Sequence, residues 1–174
     1  KPIILATGAS TLKEVKDTVK LITKANEDLI LMQCNTNYSN DEKNFENINL
    51  NVLKTYKKIF GNKVILGLSD HTSGHATVLG AISLGARVIE KHFTDSNSRN
   101  GPDHKFSMHF DSWSEMVKET RRLEKALGNG VKSIESNETH TAHVQRRSFY
   151  ATKEIKKGEK IKLRSIFPLR PYLK

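Results

Sequence analysis

Short apolar runs alternate with stretches of helical period through the first 128 residues. The runs at 3–6 (IILA), 29–34 (LILMQC), 64–68 (VILGL) and 86–90 (ARVIE) are nearly continuous in apolar side chains and are bounded by turn residues. That is the signature of strands buried on both faces of a parallel sheet, the first run included. Between them, Leu12, Val15, Val19 and Ile22 recur at helical spacing in a helix expected to end near Asn26, and Val52, Leu53, Tyr56 and Ile59 do so in a helix over 48–60. Residues 76–86, ATVLGAISLGA, form a third helix whose small side chains suit close packing on a sheet. A fourth is expected to open at Asp111 or Ser112, to bury Met116, Leu123 and Leu127, and to stop at Gly128. Thr11 with Glu14, and Ser112 with Glu115, have the spacing of capping boxes.

After Gly128 the period is lost. Residues 129–147 read as a polar linker in which His140 and His143 are expected to face solvent. Strand-like material returns at 148–151 and over 161–169 around a Lys156–Glu159 turn, so 148–174 reads as the start of a small β-rich module. The order βαβαβαβα, linker, β predicts an α/β protein with a parallel sheet. A polar cluster follows every apolar run, as at the active-site edge of a (βα)8 barrel, and four βα units make half of one. With Lys1–Pro2 leading straight into a strand, the chain reads as a fragment, and its two unpaired sheet edges predict self-association.

The third and fourth runs end in Ser69-Asp70-His71 and Glu90-Lys91-His92. Alternation along a strand puts Ser69 and His71 on one face, and Glu90 and His92 on one face. A parallel βαβ unit brings both strand ends to the same edge. Two imidazoles beside a carboxylate suit a borderline divalent metal whose other positions stay open to substrate and water. The 35–40 loop, NTNYSN, crowds amides and hydroxyls at the neighbouring strand end, a composition that holds oxyanions or sugar hydroxyls and also builds turns.

Composition narrows the classes. In 174 residues, 36% hydrophobic and 28% charged, no apolar run is long enough to span a membrane, and a cytoplasmic location is the default expectation. Cys34 is the single cysteine, which excludes an intramolecular disulfide and a cysteine-based zinc cage. The formal charge of +10 raises nucleic-acid binding, but the lysines are scattered over helix faces and turns without interleaved aromatics, so no nucleic-acid partner is expected. The charge favours an anionic small substrate instead. Thr7-Gly8-Ala9-Ser10 lacks the spacing of a dinucleotide or Walker loop.

The segments ILATG, QCNTNY, GLSDHT, EKHFTDSNSRNGPDHKFSM and RRSFYATKEIKKGE, followed by LRP, resemble the sialic acid (nonulosonic acid) synthase family over essentially the whole chain. The resemblance implies the second half of a (βα)8 TIM-type barrel (1–128), a linker (129–147) and the start of an antifreeze-like SAF domain (148–174), from an enzyme that works as a domain-swapped homodimer. It also implies condensation of phosphoenolpyruvate with an N-acetylated amino sugar, either N-acetylmannosamine or a 2,4-diacetamido-6-deoxy hexose, to a nine-carbon 2-keto acid with release of phosphate. By the same resemblance His71 and His92 are the ligands of a divalent ion, Mn2+ with Mg2+ or Co2+ as alternatives, and Glu90 is a carboxylate beside it. Ser69, Asn35 and Thr36 correspond to groups around phosphoenolpyruvate, Tyr38 and Asp103 to groups near the amino sugar, and Arg170 to an arginine delivered to the partner protomer's site. Glu90, Asp103 and Tyr38 form the expected catalytic set.

Two departures stand out: Ala6 replaces a frequent serine, and CNTNYS looks closer to bacterial legionaminic acid synthases than to neuraminate synthases. The family's phosphate-binding lysines and catalytic glutamate come from earlier strands without counterparts here, so the chain alone is expected to turn over negligibly. The alternatives are a related synthase joining phosphoenolpyruvate to a sugar phosphate, and a non-catalytic half-barrel that binds metal or a partner.

Overall fold

A computed structural model describes residues 1–39 and 41–172, so Asn40 of the polar loop lies outside the described residues. The chain forms two compact units, 1–128 and 129–174. In the first, β1 (Ile3–Ala6), β2 (Leu29–Cys34), β3 (Ile65–Asp70) and β4 (Val88–Lys91) make one parallel sheet in the order β1-β2-β3-β4. The connections carry α1 (Leu12–Ile22), α2 (Val52–Phe60) and α3 (Ala76–Ser83), and α4 (Phe110–Ala126) follows β4.

The period of two divides the sheet into unlike faces. Leu5, Leu31, Leu66, Leu68 and Ile89 pack with Val15, Val19, Leu53, Tyr56 and Ala81 in the main core, so this face is the one the helices cover. Full burial of a valine, leucine or isoleucine side chain there is worth about 1.5–3 kcal/mol. The alternate residues form the other face, along whose rim Ile4 and Ile65 stay 54% and 50% exposed. The expectation that the first strand is buried on both faces is therefore corrected. β1 is an edge strand paired only with β2, and Ile3, Ile4 and Ala6 are exposed. Met32 is buried on that same face because it lies over Gly67, the β3 residue paired with it.

Several boundaries shift for local reasons. α1 begins on the expected capping box, Thr11 accepting from the Glu14 amide while Glu14 returns to the Thr11 amide, but it ends at Ile22 rather than near Asn26. Asn26 builds the turn into β2, its Nδ2 donating to the Lys1 carbonyl and its Oδ1 accepting from the Asp28 amide. α2 starts at Val52, not 48, because Asn49 takes a left-handed φ of 49° after a 3-10 turn over Glu42–Asn47. α4 is capped by His109, whose Nδ1 accepts from the Asp111 amide, three residues ahead of the expected Ser112–Glu115 box. Met116 is buried and packs with Val78, Ile82 and Met108, but Leu127 is 48% exposed, outside the expected apolar stripe. Gly61 and Gly128 close their helices at φ of 62° and 60°.

In the second unit the expected linker holds a short helix, α5 (Thr139–Gln145), preceded by a 3-10 turn over Ser136–Glu138. His140 and His143 on α5 are exposed. β5 (Ser148–Ala151) and β6 (Ile166–Leu169) pair antiparallel. Among the described residues no helix is long and apolar enough to cross a membrane.

Candidate functional site

The site lies at the C-terminal ends of β2, β3 and β4. The β3–β4 ladder pairs Ser69 with Glu90 and Asp70 with Lys91, so His71 and His92 each stand one residue beyond its last rung. Both continue the parity of Ser69 and Glu90, and their rings meet with centres 5.1 Å apart. Tyr38 and Phe106 complete an aromatic nest. The Tyr38 ring centre is 4.3 Å from that of His71 and 5.5 Å from that of His92, and Phe106 is 5.0 Å from His92.

Each imidazole has a polar neighbour on its Nδ1 side. His71 Nδ1 lies 2.8 Å from the Asn35 carbonyl oxygen, which can only accept, so Nδ1 carries the proton and Nε2 keeps its lone pair. His71 is 5% exposed, and burial holds it below the usual imidazole range, outweighing the opposing bond to Asn35. It is therefore the neutral base that metal coordination requires. His92 Nδ1 faces Asp103 Oδ2 at 3.5 Å, which sets a carboxylate beside the second ring. Among the described residues no group of three or more His, Cys, Asp and Glu is placed to hold a metal ion. His71 and His92 are thus the two ring-nitrogen donors that this strand edge brings together.

Below the imidazoles runs a polar row, Cys34, Ser69 and Glu90, at paired register positions. Ser69 Oγ donates to Glu90 Oε1 at 2.7 Å, which fixes the carboxylate on the histidine face. Asn35 enters the site through its backbone, while its carboxamide turns away to donate to the Asn47 carbonyl and to accept from the Asn37 amide. Thr36 is exposed, with its methyl over Gly8. Arg170 belongs to the second unit, where Nε donates to the Gln145 carbonyl at 2.7 Å.

Sequence reasoning left out Phe106, whose place beneath the rings depends on a 14-residue excursion from β4 that returns through the Phe93–Met108 bridge. It also passed over Asp70 and Lys91. Strand alternation puts these on the opposite face from the histidines, where they form a buried ion pair of 2.6 Å.

The family model described as the NeuB family matches residues 1–132. The chain is 40% identical over 172 residues to an uncharacterized protein of Methanocaldococcus jannaschii, covering 98% of this chain and 50% of that protein. It is 36% identical over 162 residues to the N,N'-diacetyllegionaminic acid synthase of Campylobacter jejuni, covering 91% and 47%. Among solved structures, the N-acetylneuraminic acid synthetase of Leptospira borgpetersenii superposes with a TM-score of 0.70 at 29% identity, over 80% of this chain and 47% of that one. The chain spans about half the length of the curated relatives it matches.

Proposed function

For this chain, which belongs to the NeuB family, we propose a part in a nonulosonic acid synthase that joins phosphoenolpyruvate to an N-acetylated amino sugar and releases phosphate. The observation that carries the reading is the facing pair of imidazoles, each with its Nδ1 side engaged, at one strand edge of a family member. The sheet belongs in this reading to the second half of a (βα)8 barrel, and the second unit to the start of an antifreeze-like domain. The sequence run CNTNYS, together with the name of the Campylobacter relative, supports an acetamido sugar of the legionaminic type.

A divalent ion, Mn2+ in this proposal, supplies Lewis-acid polarisation of the sugar aldehyde when bound. His71 and His92 would hold it through ring nitrogens, with the Asn35 carbonyl engaging Nδ1 of His71 and Asp103 facing Nδ1 of His92. Glu90, fixed by Ser69, presents a carboxylate that can accept a proton from water beside the reacting carbon. Tyr38 and Phe106 wall the site beside the rings.

The test has two arms. Electron paramagnetic resonance of free Mn2+ should show binding by the 174-residue chain that His71→Ala and His92→Ala each abolish. Phosphate release from phosphoenolpyruvate with the candidate sugars should be negligible for the chain alone and should appear when it is co-expressed with the first half of the Campylobacter relative. Histidine-independent Mn2+ uptake, together with silence of the complemented protein on every sugar, would refute the proposal.

A further inference from the structure

Backbone pairing between β3 and β4 stops at Asp70 and Lys91, one residue short of each histidine. Beyond that rung no ladder fixes the separation of the two chains, yet a two-point ligand pair needs it fixed to a fraction of an ångström. The residues at the rung form an ion pair with side-chain exposures of 0% for Asp70 and 1% for Lys91. Its contacts reach past the rung. Lys91 Nζ donates to Asp70 Oδ2 at 2.6 Å and to the Thr72 carbonyl at 2.7 Å. Asp70 accepts from the Thr72 amide at 3.2 Å, from the Thr72 hydroxyl at 2.9 Å and from the Thr77 hydroxyl at 2.6 Å. His71 is thus bracketed by two residues, Asp70 and Thr72, that are both tied to Lys91, the residue immediately before His92.

The energetics point the same way. A buried ion pair seldom outperforms a well-packed apolar pair of similar volume, because desolvating two charges offsets most of their attraction. What it provides that a Leu–Met contact lacks is direction. We propose that Asp70 and Lys91 are positioning residues, a clamp on the helix-covered face that sets the spacing of His71 and His92 on the other; the metal half of this inference rests on the ligand reading given above.

The experiment compares the 174-residue chain with Asp70→Val/Lys91→Met, an apolar replacement close to the pair in summed volume, whose fold is checked by circular dichroism and cooperative thermal unfolding. The deciding readout is the through-space NMR contact between the His71 and His92 rings, which needs no metal. It should be present in the parent and lost in the folded variant, and Co2+ affinity should fall about tenfold or more with a changed visible d–d spectrum. A ring contact that survives in the folded variant overturns the proposal. If that variant does not fold, Asp70→Asn/Lys91→Met, which keeps an acceptor for the Thr72 and Thr77 hydroxyls and removes the Lys91 tether, decides by the same readout: a weakened contact supports the clamp and an unchanged one overturns it. A parent that binds no Co2+ while the ring contact still depends on the pair would sink the ligand reading and leave the clamp standing.

Discussion

Cys34 and Gly67 show how closely single positions on the histidine face are specified. Burial pushes the Cys34 thiol up from its ordinary value, ahead of the opposing effect of the Ser69 hydroxyl, and burial does the same to the Tyr56 phenol against its bond to Thr7. Alkylation of Cys34 by iodoacetamide should therefore be about tenfold slower, or more, in the folded chain than in urea; equal rates would show an open thiol. Both groups hold their protons more tightly folded than unfolded. Their contribution to stability is thus complete below the ordinary thiol and phenol range and is lost as pH rises from there through the raised folded values. Urea midpoints should fall on the alkaline side, less steeply in Cys34→Ala and Tyr56→Phe. At Gly67 a Cβ would stand 2.8 Å from Met32 Cγ and 2.9 Å from the Val88 carbonyl oxygen. The methionine can move but the paired strand cannot, so Gly67→Ala should cost about 1–3 kcal/mol in urea unfolding.

At the scale of elements, α2 is held to the sheet by two means. Leu53 is fully buried in the main core, and the Tyr56 hydroxyl donates to Thr7 Oγ1, which donates to the Met32 carbonyl, linking the helix to the ends of β1 and β2. Leu53→Ala leaves a cavity among leucines that a sheet cannot close around, and about 2–5 kcal/mol of stability should go with it in chemical denaturation. α3 has two jobs, which explains its small residues. Ala81 sits in the core on the sheet, while Val78 and Ile82 pack against Met108 and Met116.

For the whole molecule, charge and edges matter most. Eleven Lys and Arg against four Asp and Glu give the 129–174 unit a formal +7 of the chain's +10, so the basic charge is concentrated there rather than spread along the chain. In the first unit β1 and β4 each pair with one neighbour, and Ile4 and Ile65 are open on the face between them. Open edges beside exposed isoleucines template further pairing. Sedimentation velocity should show mass rising with concentration, and a single monomeric species at all loadings would contradict that.

The chain's alternation of apolar runs and helical period determined the element order, the parallel sheet and the two histidine-bearing strand ends, because these depend on local spacing alone. β2 falls at 29–34 in both readings, and the Thr11–Glu14 capping box forms as its spacing requires. Which face of the sheet lies open, where Phe106 returns and why α2 waits until Val52 were decided only in three dimensions, since each depends on residues far apart in the chain or on a backbone angle that residue type does not dictate. The Asp70–Lys91 pair belongs to the same class. A period of two says that both side chains leave the histidine face, but only the packing of α3 over the ladder's end turns them into a buried, bonded pair.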